Sequence, residues 1–138
     1  MKPVLLDTGV IVAWLDRSER FHEAAVSALD SCESPLITCE AVIAESCYRL
    51  RKLKGAAEAV LANVAEGVFQ MPFSLAESAE EVRRIVNKYR EREIALADAC
   101  LIQMAAAFDT PEIMTLDKDF QVYRWQRNKM FKLLIALD

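Results

Sequence analysis

The feature that most constrains this chain is an alternation. Very short apolar runs are separated by longer segments whose apolar residues recur every three to four positions. Val4-Leu5-Leu6, Pro35-Leu36-Ile37, Ile113-Met114-Thr115 and Lys132 to Ala136 are brief and apolar, as strands buried on both faces are. Val68 to Phe73 is a further strand candidate. Gly9 to Leu15 reads as a short buried helix opened by Asp7 and Thr8. Phe21, Ala24, Ala25, Ala28, Leu29 and Cys32 keep the spacing of an amphipathic helix. Thr38 reads as the N-cap of a helix over roughly 39–53. Ala57, Val60, Leu61, Val64 and Val68 mark the next helix, with Gly67 near its stop. Ser74-Leu75-Ala76-Glu77 is a capping box for another, with Ala79, Val82, Val86 and Tyr89 on one face. A last helix is expected over about 95–108. Strands alternating with helices predict an α/β fold in three layers, a parallel sheet of about five strands between helices. At ~100–200 residues per domain, residues 1–138 are expected to form one domain.

Several classes are disfavoured. A hydrophobic fraction of 54% is far from that of a disordered chain. No run approaches the ~20 apolar residues of a membrane helix, and the apolar stretch before Asp7 is too short for a secretory signal. Cys32, Cys39, Cys47 and Cys100 form no CxxC pair, and His22 is the only histidine, so a zinc site is not expected. Free thiols packed as small hydrophobes fit a reducing, cytoplasmic setting.

The informative residues are carboxylates. Asp7 follows the first strand and Asp117 follows the fourth, so both fall at strand C-termini on one sheet edge, where ligands bind in parallel α/β folds. Glu45, in Ala41-Val42-Ile43-Ala44-Glu45, is expected on or beside the apolar stripe of its helix. Asp98 is expected to face inward from Leu96-Ala97-Asp98-Ala99, or to sit in that helix's first turn. Acids in such surroundings are costly unless paired or coordinated, and acids that converge repel one another unless a cation neutralises them. A set of Asp and Glu without His or Cys suits Mg²⁺ or Mn²⁺, the ions of phosphate chemistry.

These pieces, in this order, resemble the PIN-domain family. Its metal-dependent ribonucleases include the toxins of many type II toxin–antitoxin pairs. The resemblance rests on Leu5-Leu6-Asp7-Thr8, Thr38 with Ala41 to Glu45, Leu96 to Ala99, and Thr115-Leu116-Asp117-Lys118-Asp119-Phe120, and spans essentially the whole chain. It implies that Asp7, Glu45 and Asp98 form the core acidic triad. It also implies that Asp117 is the fourth acid, that Asp119 is an auxiliary ligand, and that one or two Mg²⁺ or Mn²⁺ ions bind. It further implies cleavage of RNA by metal-activated water, leaving a 5′-phosphate and a 3′-hydroxyl, with an antitoxin as protein partner and a homodimer as assembly. The family often has Ser, Asn or Thr two residues after the first Asp, where this chain has Gly9.

Substrate contacts are expected from Thr8, Thr115, Arg124 and Arg127, with Tyr123 or Trp125 stacking on an unpaired base. Residues 118–132 carry five positive charges and one negative, and Arg49, Arg51, Lys52 and Lys54 follow Glu45. The run Arg83, Arg84, Lys88, Arg90 and Arg92 is interleaved with acids and reads as a solvated helix face. The net charge of −4 does not argue against RNA: with Asp7, Glu45, Asp98 and Asp117 assigned to one site, the rest of the chain is formally neutral. Two other classes compete. One is an inactive PIN-like or receiver-like domain that binds a protein. The other is a phosphoaspartyl phosphatase with Asp7 as nucleophile, which would usually carry an acid where Gly9 stands.

Overall fold

The computed structural model describes residues 1–137. In chain order the elements are β1 (Val4–Leu6), α1 (Thr8–Leu15), α2 (His22–Ser31), β2 (Leu36–Ile37), α3 (Glu40–Arg49), α4 (Ala56–Ala65), β3 (Phe69–Gln70) and α5 (Leu75–Lys88). They continue with α6 (Leu96–Ala107), β4 (Glu112–Met114), β5 (Arg124–Trp125), β6 (Lys129–Met130) and β7 (Lys132–Leu133). Short 3₁₀ turns cover Arg90–Arg92 and Lys118–Gln121. Five strands form a parallel sheet in the order β3-β2-β1-β4-β7, flanked by the six α-helices, as the alternating pattern predicts. No helix among the described residues is long and apolar enough to cross a membrane.

The sheet order explains where a site can lie. The chain moves outward from β1 to β2 to β3, then α5 and α6 carry it back so that β4 pairs with the other side of β1. The direction of winding therefore reverses between β1 and β4, and the crevice beyond the C-terminal ends of such neighbours is the general ligand position in open α/β sheets. Leu6 pairs with Met114, so the residues that leave these two strands emerge side by side. Val4, Leu5 and Leu6 are all buried, which is why the central strand needs no polar alternation. The aliphatic core continues through Val10, Ile11, Val42, Leu101, Met104 and Ile113.

Local chemistry sets most element ends. Asp7 is the N-cap of α1 and accepts from the Thr8 amide at 2.8 Å. Ser74 caps α5 by accepting from the Glu77 amide, the expected capping-box bond. Other ends differ from the sequence reading. Thr38 does not cap α3: Cys39 holds that place, and the Thr38 hydroxyl donates to the Leu6 carbonyl at 2.8 Å. The expected helix over 39–53 stops at Arg49. Buried Leu50 anchors the stop, and the chain then turns through Arg51–Lys54 to Gly55, whose φ of +80° suits glycine. The third strand holds only Phe69–Gln70, because Pro72 has no amide to extend the ladder. The fifth strand is paired over Lys132–Leu133 only.

An antiparallel hairpin, β5 with β6, interrupts the segment before the last strand, where the sequence pattern predicts no strand. Gln126 and Asn128 turn it with φ of +48° and +70°. The four cysteines are free thiols, Cys39 and Cys100 buried and the other two half-buried. His22 begins α2, with Nδ1 2.7 Å from the Ala13 carbonyl oxygen.

Candidate metal centre

Four carboxylates meet at the reversal of winding. Asp7 leaves β1 and Asp117 follows β4, while α3 brings Glu45 and the first turn of α6 brings Asp98. Asp7 is only 5% exposed and is held at both oxygens: Oδ1 accepts from the Thr8 amide, and Oδ2 accepts from the Thr115 hydroxyl at 2.7 Å. The Thr115 hydroxyl oxygen in turn accepts from the Asp117 amide at 3.0 Å. Asp117 Oδ1 accepts from the Asp119 amide and so opens the 3₁₀ turn. On the other side, the Thr8 hydroxyl donates to Glu45 Oε1 at 2.9 Å. Glu45, Thr8, Asp7, Thr115 and Asp117 thus form one hydrogen-bonded chain across three elements.

Glu45 departs from its expected setting. Val42, Ile43, Ser46 and Leu50 form the buried face of its helix, and Glu45 itself is exposed, reaching the cluster from the rim. Asp98 is half-buried between buried Ala97 and Ala99, in the first turn, and its Oδ2 accepts from the Tyr123 hydroxyl at 3.4 Å.

The electrostatics report the convergence. Burial pushes the Asp7 carboxyl up to about 6, opposed by its bonds to Thr115 and Thr8 and reinforced by the charges of Asp117 and Glu45. Burial also pushes Asp98 up to about 7, with repulsion from Asp7, Asp117 and Glu45 adding to it. Asp7, Glu45, Asp98 and Asp117 have no ion-pair partner among the described residues. Among the described residues no three acids are gathered tightly enough to close round an ion; the four lie near enough to feel one another's charge. An oxygen-only donor set that repels itself and has no protein cation fits a hard divalent ion, which would neutralise the acids and draw them inward.

Other expected site residues lie differently. Asp119 Oδ1 is 3.1 Å from Arg92 Nη1, so its carboxylate is engaged by a cation that the sequence placed on a solvated face. Thr8 and Thr115, expected against substrate, are buried and spend their hydroxyls on Glu45 and Asp7. The Arg124 guanidinium donates to the carbonyls of Gln121, Val122 and Tyr123, closing its own loop. Arg127 is exposed at the tip of the β5–β6 hairpin. Tyr123 and Trp125 are buried and cannot stack on a base. Neither the Tyr123–Asp98 bond nor the Arg92–Asp119 pair follows from any spacing in the sequence.

Residues 4–126 match the family model described as PIN domain. The chain is 32% identical over 117 residues to ribonuclease VapC26 of Mycobacterium tuberculosis, covering 83% of this chain and 87% of that protein. Its fold is similar to the crystal structure of VapC20 of the same organism, described as a sarcin-ricin loop cleaving toxin. The TM-score is 0.78 at 21% identity, with 86% of this chain and 93% of that one covered.

Proposed function

The chain belongs to the PIN-domain family, and from that premise we propose that it is a divalent-metal-dependent endoribonuclease acting as the toxin of a toxin–antitoxin pair. The observation that carries the reading is the set of four carboxylates, without a protein cation, across the β1/β4 crevice. Asp7, Glu45, Asp98 and Asp117 are the residues that would hold one or two Mg²⁺ or Mn²⁺ ions. Bound there, such an ion supplies an activated water and stabilises charge on the phosphate oxygens.

The protein's own residues do the positioning. Asp7 cannot rotate, because both of its oxygens are held. Thr8 ties the Asp7 and Glu45 carboxylates together, and Thr115 ties Asp7 to the backbone of Asp117, whose Oδ1 is held in turn by the Asp119 amide. Asp119, paired with Arg92, supports the rim and is not proposed as a ligand. Water attacks phosphorus, the bond to the 3′-oxygen breaks, and the products carry a 5′-phosphate and a 3′-hydroxyl. Arg127, on an exposed hairpin tip, is the arginine left free for backbone phosphates, since Arg124 is committed to its loop. The antitoxin would cover the acidic crevice, offering an arginine to the carboxylates. A second copy of the chain is proposed to pack on α4, where Leu61 is exposed.

Sequencing RNA ends after induced expression tests the activity, with Asp7→Asn and Asp98→Asn as controls. New ends with wild type and none with either variant are expected. Cleavage by both variants at the wild-type rate would refute the mechanism, and calorimetry without Mg²⁺ or Mn²⁺ binding would favour a protein-interaction domain.

A further inference from the structure

Asp98 is the one acid of the four outside the threonine chain. Its side-chain hydrogen bond comes from Tyr123, a residue 25 positions away on the far side of the Asp117 turn. Tyr123 is 1% exposed. Its ring meets Tyr89 edge-on at 5.0 Å and Phe120 at 5.1 Å, which leaves it no room to swing. Its amide donates to the Asp119 carbonyl at 2.9 Å. One residue therefore grips the turn that presents Asp117 by its backbone and the helix that presents Asp98 by its hydroxyl.

Packing does not require that hydroxyl. A phenylalanine would fill the same space, and a buried hydroxyl is unfavourable unless it finds a partner. Among the described residues Asp98 is the side chain that supplies one. The chemistry of the donor matters too. A lysine or arginine here would neutralise Asp98 and compete with a divalent ion for it. A phenol fixes the direction of the carboxylate and leaves its charge available. We propose that Tyr123 is a positioning residue of the metal centre, holding Asp98 in register with the Asp117 turn. This rests on the divalent-metal reading above.

The experiment is calorimetric titration of the metal-free full chain with MnCl₂, without RNA, alongside thermal melting. Tyr123→Phe removes one oxygen and keeps the ring. It is expected to bind Mn²⁺ about tenfold more weakly than wild type, the scale for loss of a bond that orients a ligand. Tyr89→Phe is the control: its hydroxyl, in the same aromatic cluster, accepts from the Arg124 amide at 2.9 Å and touches no acid of the site. It is expected to lower the melting temperature and leave Mn²⁺ affinity within twofold. In a double-mutant cycle, Tyr123→Phe adds no further loss to Asp98→Asn. Wild-type affinity in Tyr123→Phe, or an equal loss in Tyr89→Phe, would overturn the proposal. A wild-type chain that binds no Mn²⁺ overturns the metal reading and this proposal with it, and that result is visible before any variant is compared.

Discussion

Thr115 donates its hydroxyl to Asp7 Oδ2 at 2.7 Å across 108 positions of chain, with both side chains buried at the junction of β1 and β4. The Thr115 hydroxyl oxygen accepts from the Asp117 amide, so one hydroxyl holds the Asp7 carboxylate and the Asp117 backbone. Thr8 repeats the arrangement on the other side, its amide on Asp7 and its hydroxyl on Glu45. Buried threonines thus do the positioning that like-charged carboxylates cannot do for one another.

Thr115→Val keeps the shape and removes the donor. It is expected to weaken Mn²⁺ binding about tenfold or more and to destabilise the fold by ~1–3 kcal/mol, since Asp7 Oδ2 and the Asp117 amide lose a buried partner. Thr115→Ser should restore most of both. Denaturant unfolding and calorimetry measure the two effects; a valine variant with unchanged metal affinity would remove Thr115 from this role.

The acid cluster makes an unusual pH dependence. Asp7 and Asp98 have folded-state values of about 6 and about 7 against 3.8 when unfolded. Between those values the folded chain retains protons that the unfolded chain has lost, so these groups destabilise the fold increasingly as pH rises from about 4 to about 7. For fully buried Asp7 the difference corresponds to on the order of 3 kcal/mol. The melting temperature of the metal-free protein in EDTA should therefore fall relative to Asp98→Asn between pH 5 and pH 8. Added Mn²⁺ should offset the fall at pH 8. Parallel pH profiles for the two proteins would count against the cluster.

Gly9 sits inside α1, where glycine costs up to ~1 kcal/mol relative to alanine. A Cβ added there would meet Leu116 side-chain atoms at 3.6–3.9 Å, an ordinary packing distance. Gly9→Ala is therefore expected to raise stability by ~0.5–1 kcal/mol in denaturant unfolding. A loss of stability would show that the helix start needs the missing side chain.

Arg124 and Arg127, three positions apart, read alike in the sequence and behave differently in the fold: one lies in the hairpin's first strand, the other at its tip. Arg124→Ala removes donors from three carbonyls and should destabilise by ~1–2 kcal/mol. Arg127→Ala should leave stability within ~0.5 kcal/mol and weaken RNA binding. The log–log salt slope should shrink by ~0.7, the contribution of one phosphate contact on a single strand. Binding in an Asp98→Asn background separates affinity from cleavage; an unchanged slope would take Arg127 out of the interface.

Asp7 and Asp117 were legible because a strand and the acid that ends it are local features, readable from a few consecutive residues. Asp98 was legible as an acid in an apolar helix start. Glu45 was found as an acid, yet its exposure was not, because Ala44 and Glu45 lie at the edge of a stripe whose buried side is set by neighbouring elements. Tyr123, Trp125 and Arg124 carried the wrong expectation for one shared reason. An aromatic-basic segment looks like an RNA surface until the hairpin folds its rings inward and turns its first arginine onto its own carbonyls.

By itself the sequence determined the alternation of sheet strands and helices, the parallel α/β class and the four candidate acids, because periodicity, caps and strand-end residues act over a few positions. Only the tertiary structure decided which hydroxyl holds which carboxylate, that Arg92 takes Asp119, and that Tyr123 reaches Asp98. Those pairings join residues tens of positions apart. They depend on the register that sets Leu6 beside Met114 and on the packing of α6 against the turn after β4, and no local pattern encodes either.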